Sequence, residues 1–461
     1  MFPSLEQSLS RRHFIGATGL GMAALASLLQ PKVLAGSRLV PRAKHVIYLF
    51  MSGGPSHVDT FDPKPELVRR DGQRIPTEWI DDVHFAMINN DQVPLLKGSP
   101  FRFKQFGQCG ASISELFPHL SKVADELAIV RSLHSEVFNH DPAVSLLNTG
   151  DSRVGRPTMG AWLSYGLGNE TENLPAYVVM TSGVKRQPLL NSYWTNGFLP
   201  SKHQGVRFRS EGDPVLFLSR PEGVGLSERR QQVDLIRWMN EQRFALFQDP
   251  ETVARIAQYE TAFRMQSAAP ELMDLSNETS ATMDLYGAVR GTASFANNCL
   301  LARRMVERGV RFVQLYDMGW DSHGKMVQEH TQQCKGVDQG AAGLIRDLKQ
   351  RGLLDETLVI WGGEFGRTPV AQGGGKDWGR DHHPHGFTMW MAGGGIKGGV
   401  TYGNTDEFGF HAVEDRVSVH DFHATALHCL GIDHERLTYR HQGRDFRLTD
   451  VSGYVLPDLL S

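Results

Sequence analysis

His45-Val46-Ile47-Tyr48-Leu49-Phe50-Met51 is a nearly unbroken apolar run that stops at Ser52-Gly53-Gly54-Pro55. A strand with one wet face alternates polar and apolar residues. A run without that alternation buries both faces, the habit of an inner strand of a parallel sheet. Outward from it, strand patterns recur at 127–130, 177–180, 311–316, 357–361 and 387–392. Helical patterns lie at 113–126, 228–247, 253–265, 295–307, 329–350 and 420–430. Strands alternating with long helices predict the α/β class: a doubly wound, mainly parallel sheet with helices on both faces. The stretch 181–227 is rich in Pro, Ser, Arg and Gly and poor in periodicity. Together with the charged helices up to 265 it reads as an insertion over one sheet edge, a candidate substrate lid.

The chain has 461 residues, 40% hydrophobic and 21% charged, with a formal net charge of -3. That is the composition of a globular protein, and the small charge gives no reason to expect nucleic acid or an anionic membrane as partner. The N-terminus reads as an address. Ser10-Arg11-Arg12-His13-Phe14-Ile15 matches the twin-arginine export pattern, a glycine-rich apolar run follows over 15–29, and Val33-Leu34-Ala35 is a small-residue cleavage site. The expectation is a signal peptide over 1–35, a mature domain over 36–461, the twin-arginine translocase as a partner, and a periplasmic or secreted destination. The run is too short for a stable membrane span. Cys109, Cys299, Cys334 and Cys429 lie far apart with no metal-ligand spacing, and read as small buried apolar residues.

Three polar clusters carry the chemistry: Trp320-Asp321-Ser322-His323-Gly324, Gly362-Gly363-Glu364-Phe365-Gly366-Arg367 and Gly379-Arg380-Asp381-His382-His383-Pro384-His385-Gly386-Phe387. At least seven of the nineteen histidines fall between 320 and 423. Neutral imidazoles and carboxylates are the ligands of borderline divalent cations. Each cluster adjoins an apolar strand pattern, and ligands of open α/β sheets bind at the carboxyl ends of strands. Asp321, His323, Glu364 and His385 are therefore expected to converge on one or two cations. His140 is expected to border the same pocket, because a helix starting near Pro142 points backbone N–H groups at an anion. His57 and Asp59, just past the first strand, join the candidate ligands. Nitrogen-bearing donors lean towards Zn or Mn over Ca. Arg367 either holds an anionic substrate through its planar fork or pairs with Glu364.

The succession of export signal, Met51-Ser52-Gly53-Gly54-Pro55-Ser56-His57-Val58-Asp59-Thr60-Phe61-Asp62-Pro63-Lys64 and the three clusters resembles a sulfatase-like domain-of-unknown-function family, numbered fifteen-oh-one, of the alkaline-phosphatase-like superfamily. The resemblance spans essentially the whole mature chain. It implies an alkaline-phosphatase-like fold and a metal-centred hydrolase ancestry. Ser52 stands where the superfamily's first strand ends in a metal-binding Asp, with His57 and Asp59 as nearby substitutes. Asp321 and His323 resemble the ligands of one metal site, with Asp317 competing. Glu364-Phe365 resembles the Asp-His pair of the second, and His385-Gly386-Phe387 the late His before Gly and an aromatic. His382 and His383 are extra.

In His140-Asp141-Pro142-Ala143-Val144-Ser145-Leu146-Leu147-Asn148-Thr149-Gly150, His140 takes the nucleophile position and Val144 that of the usual Arg. Formylglycine chemistry at that position is thereby excluded. His140 is left as a metal ligand, a general base or a covalent nucleophile, the first two favoured. The resemblance implies a hydrolase of phosphate or sulfate esters, acting on a small anionic ester or a sulfated or phosphorylated saccharide. The competing expectation is a non-catalytic periplasmic binding or assembly protein that kept the fold.

Overall fold

A computed structural model describes residues 39–80, 83, 85–88, 94–183, 190–210 and 212–461. The expected signal peptide over 1–35 lies outside the described residues.

The main sheet has nine strands: β1 (His45–Ser52), β2 (Leu127–His134), β3 (Tyr177–Gly183), β4 (Val206–Arg207), β5 (Phe312–Met318), β6 (Thr357–Gly362), β7 (Phe387–Ala392), β8 (Val400–Tyr402) and β9 (Val417–Ser418). Their spatial order is β8-β2-β7-β6-β1-β5-β3-β4, with β9 also pairing β2. All pairs are parallel except the two made by β7, which runs against both β2 and β6. The opening run is thus an inner strand, and every residue of β1 is buried.

Its alternation divides the core. Val46, Tyr48 and Phe50 pack with α1 (His140–Thr149), α2 (Met159–Leu167) and α7 (Val419–Cys429). Ile47, Leu49 and Met51 pack with α4 (Pro250–Met273), α5 (Phe295–Glu307) and α6 (Met326–Gln350). Helices therefore cover both faces, and each fully buried aliphatic contributes about 1.5–3 kcal/mol relative to exposure. The fold is α/β and doubly wound on a mainly parallel sheet.

Register fixes where the loops open. Phe50 lies opposite Tyr316 of β5 and Gly362 of β6, so the three central strands end together. Because β7 is reversed, its start lies at that same edge. The residues after β1, β2, β5 and β6 and those before β7 consequently face one another.

Two sequence expectations are corrected. The pattern at 113–126 is not one helix: Ala111–Ser114 pairs antiparallel with Phe103–Phe106, and a 3₁₀ segment spans Leu120–Glu126. Pro118 interrupts the helical ladder, and the buried Asp338 carboxylate accepts the free His119 and Leu120 N–H groups at 2.8 and 2.7 Å. Among the cysteines, Cys299, Cys334 and Cys429 are buried, but Cys109 is exposed; all are free thiols.

The region 181–265 begins as the end of β3 and contributes the edge strand β4. Its helix α3 (Leu226–Phe247) buries only Val233 among its described residues and pairs with α4 through Arg230 and Glu260. The far half of α4 enters the core through Met265, Ala269 and Leu272. No helix among the described residues is long and apolar enough to cross a membrane.

Candidate metal centre

Four side chains from three segments meet at the shared edge. His140 is the first residue of α1, after β2. Asp321 and His323 follow β5, and His382 precedes β7. One ligand atom from each lies within 4.8 Å of all the others. Asp321 Oδ1 is 2.9 Å from His323 Nε2 and 3.3 Å from the Nε2 atoms of both His140 and His382.

Local backbone explains the selection. After β5 the chain turns tightly, the Ser322 and His323 N–H groups reaching back to the Trp320 and Asp321 carbonyls at 3.1 and 3.3 Å; Asp321 and His323 enter the cluster, while the Ser322 hydroxyl meets His330 at 3.2 Å. His382–His383 forms a two-residue ladder with Gly366–Arg367. Adjacent residues of a strand face opposite ways, so His382 enters the cluster and His383 is turned away. Glycines permit the close approach. A Cβ on Gly53, whose φ is +120°, would sit 2.5 Å from Asp321 N, and one on Gly379 would sit 2.1 Å from His323 C.

Each imidazole is anchored on its outer side. His140 Nδ1 donates to Glu364 Oε1 at 2.7 Å, His323 Nδ1 to Gln372 Oε1 at 2.6 Å, and His382 Nδ1 to the Phe138 carbonyl at 2.7 Å. The Phe138 carbonyl can only accept, so His382 must carry its proton on Nδ1. With Gln372 placed oxygen-inward and Glu364 ionised, the same tautomer holds for all three. Every neutral ring then aims an Nε2 lone pair at the centre. His323 Nε2 and His382 Nε2 face each other at 2.9 Å, and His140 Nε2 is buried without a hydrogen bond. Opposed lone pairs beside a carboxylate repel unless a proton or a cation lies between them. Outer hydrogen bonds that fix the tautomer are the usual support of metal-binding histidines. Three imidazoles and one carboxylate also make a donor set suited to Zn or another borderline divalent ion.

Electrostatics follow from this crowding. Burial would raise the Asp321 carboxyl, but His140, His323, His382 and Arg367 together hold it far below the usual carboxylate range. Burial opposes the charged form of His140, yet Asp321 and Glu364 outweigh it and raise its pKa. Burial, aided by the charges of Arg367 and His140, pulls His382 down to about 4 against the pull of Asp321.

Residues 43–460 match the family described as "Protein of unknown function (DUF1501)". The chain belongs to the DUF1501 family. No curated protein matches it. Among solved structures, this DUF1501 chain is similar to the PsFucS1 sulfatase from Pseudoalteromonas sp., at 12% identity and a TM-score of 0.35, covering 90% of this chain and 72% of that one. It is also similar to the alkaline phosphatase from the Antarctic bacterium TAB5, at 10% identity and a TM-score of 0.33, covering 77% and 92%. A third is Ps i-CgsB, at 11% identity and a TM-score of 0.36, covering 84% and 72%.

The remaining sequence candidates fall outside the four-residue group. Glu364 lies one layer out: it is fully buried, takes the Gly53 N–H at 2.9 and 3.1 Å, and anchors His140. Arg367 pairs with Asp321 at 2.7 Å rather than with Glu364. Its other donors go to the Gly53, Gly54 and Arg380 carbonyls, and it is wholly buried, so it has no free edge for a substrate. Asp59 is taken up by Arg380 at 2.7 Å and by the Ser56 hydroxyl at 2.5 Å. His57 donates to the Gly409 carbonyl at 2.7 Å and stacks on His383, which in turn donates to the Phe410 carbonyl. His385 sits beyond Pro384 in a neighbouring pocket with His134, His411 and Arg416. Asp317 points elsewhere, accepting Ser182 Oγ at 2.7 Å and Trp320 Nε1 at 3.1 Å. Gln372 was not legible as a site residue; a single glutamine in a glycine-rich loop gives no spacing signal.

Proposed function

We propose that this DUF1501 protein is an exported, metal-dependent hydrolase of phosphate or sulfate esters, with its centre at His140, Asp321, His323 and His382. The observation that carries the reading is the convergence of three outward-anchored imidazoles on one carboxylate oxygen. A divalent ion, Zn or Mn rather than Ca, would be held by the three Nε2 atoms and Asp321 Oδ1. When bound, such an ion polarises an ester oxygen and lowers the pKa of a water to about 7.

The protein's own contribution is preorganisation. Glu364, Gln372 and the Phe138 carbonyl set ring tautomer and direction. Arg367 fixes Asp321 from a buried position and acts as a positioning residue. The His140, Asp321 and His323 side chains remain 17–24% exposed, which leaves the centre open to a substrate. In this reading His140 is a ligand, and no side-chain nucleophile is required. Substrates would be small anionic esters or sulfated or phosphorylated saccharides. Export would use the twin-arginine sequence within 1–35.

The test is metal analysis of the purified protein followed by a panel of aryl phosphate and aryl sulfate esters. At least one equivalent of Zn or Mn is expected, with turnover abolished by Asp321→Ala and His140→Ala. Less than about half an equivalent of any divalent metal after reconstitution would sink the metal centre. Full metal loading without turnover would favour the non-catalytic binding protein.

A further inference from the structure

A cavity adjoins the metal centre. It has a volume of about 380 Å³ and is lined by His134, Ser135, Glu136, Phe138, His385, His411 and Arg416. That size is ample for one sugar-sized group. Its walls are direct continuations of the centre. Phe138, which lines the cavity, presents its carbonyl to His382 and lies two residues before His140. His385 lies three residues after His382, and the Pro384 carbonyl takes the Ser135 N–H at 2.8 Å, tying the two walls together.

The lining is rich in donors with little to donate to. Arg416 has no ion pair among the described residues; its one side-chain contact is a 3.5 Å approach to His134 Nδ1. Neither ring nitrogen of His385 makes a hydrogen bond to the described protein, although its ring packs 5.8 Å from that of His411. The acids nearby are few. Glu136 lines the cavity, and Asp406, which accepts the Phe408, Phe410 and His411 N–H groups, also engages the His411 ring at 3.5 Å from Nδ1. The Arg416 guanidinium and the His134 and His385 imidazoles face a common space with one carboxylate, Glu136; their N–H donors outnumber its acceptor sites, and an oxyanion is a matching ligand for the remainder.

We propose that this cavity is a subsite for a second oxyanion carried by the substrate, a sulfate, phosphate or carboxylate on the group next to the scissile ester. The link to a substrate rests on the hydrolase reading above; the affinity for an oxyanion does not.

The experiment keeps the two apart. Inorganic sulfate and inorganic phosphate are titrated by calorimetry into metal-loaded and chelator-treated protein, for the wild type and for Arg416→Ala. Arg416 is exposed, and circular dichroism verifies that the variant is folded. One anion per chain is expected, surviving chelation, with affinity about tenfold or more weaker in Arg416→Ala, the worth of one charge-assisted hydrogen bond. Binding that chelation abolishes and Arg416→Ala leaves intact would place the anion on the metal and overturn the subsite. No measurable binding in any state would overturn it equally. If esters are turned over, Arg416→Ala is expected to raise KM about tenfold for a doubly anionic ester, leaving kcat and the KM of a singly anionic one unchanged. A KM unchanged for both would reduce the cavity to a free-anion site and refute the substrate link.

Discussion

Glu364→Gln tests the centre through a residue that touches no metal. Glu364 is fully buried, and its Oε1 accepts His140 Nδ1–H at 2.7 Å. Glutamine keeps the shape and one acceptor oxygen, so His140 can retain its tautomer. It removes the negative charge that makes His140 Nε2 electron-rich, and it points an amide N–H₂ towards the Gly53 N–H that Oε2 accepts at 3.1 Å. Loss of such an outer partner typically weakens metal affinity 10- to 100-fold. At a metal concentration of about 100 times the wild-type Kd, bound metal stabilises the fold by about 2.7 kcal/mol. A tenfold weaker site retains about 1.4 kcal/mol of that, and a hundredfold weaker one about 0.4 kcal/mol. Competition with a chromophoric chelator gives the affinity, and melting curves with and without metal give the linkage. The metal-free protein should lose about 1–3 kcal/mol from the opposed Gly53 N–H, and on top of that loss the metal-dependent rise in Tm should shrink. An affinity within about threefold of wild type would refute the claim that His140 is a ligand supported by Glu364.

Two further outcomes follow from the titrating groups. A proton on His140 Nε2 competes with a cation, and Asp321 and Glu364 raise that imidazole's pKa above 6.5. Metal affinity should therefore climb from pH 6 to pH 8, by up to about tenfold per unit below that pKa; a flat profile by calorimetry would exclude His140 from the ligand set. Asp317 is the second case: burial raises its carboxyl from 3.8 to about 6 against bonds from Ser182 and Trp320. The folded state holds that proton more tightly than the unfolded state. The stabilisation is thus full below pH 4 and lost as pH rises towards 6, a deficit near 3 kcal/mol at neutrality. Asp317→Asn keeps both partners once the Ser182 hydroxyl turns to accept, so Tm should rise more at pH 7.5 than at pH 5. An equal shift at both pH values would show that Asp317 is not a titrating strain.

The fold was legible because burial on both faces leaves a plain trace: the unbroken run of β1 can only be an inner strand. The edge strands β4, β8 and β9 were not legible, since two or three residues carry no period. The direction of β7 was hidden too, because an apolar run reads the same either way. That reversal matters most for the site. It brings the residues before β7, not those after it, to the loops that follow β1, β5 and β6. Within 379–387 the sequence reading favours His385 and leaves His382 and His383 as extra, whereas His382 is the one that joins the cluster. Only the two-residue ladder of His382–His383 against Gly366–Arg367 separates them. The sequence-adjacent Glu364 and Arg367 were visible as site residues. Their place one layer behind the donors was not, because it depends on which buried carbonyls and N–H groups claim them.

The charges of this inner assembly argue for the kind of substrate. Asp321 and Glu364 supply two buried or half-buried negative charges, and Arg367 returns one positive charge locked against Asp321. The imidazoles are neutral as ligands. Asp381, fully buried with an oxygen 4.0 Å from His323 Nδ1, adds a third negative charge, so a divalent ion would bring the whole to neutrality in a setting where water screens poorly. In the proposed reading the ion itself, rather than a positive shell, would face an anionic ester and stabilise negative charge as it grows on the transferring group. It would gain nothing comparable from a neutral ester. The adjoining cavity sets the exposed Arg416 beside Glu136. If the subsite takes a second oxyanion, Arg416 is the exposed cation an approaching polyanion would meet, and the association rate should fall as ionic strength rises. Stopped-flow binding of a disulfated aryl sugar at 20 and 200 mM salt checks this. An on-rate insensitive to salt would refute steering by Arg416.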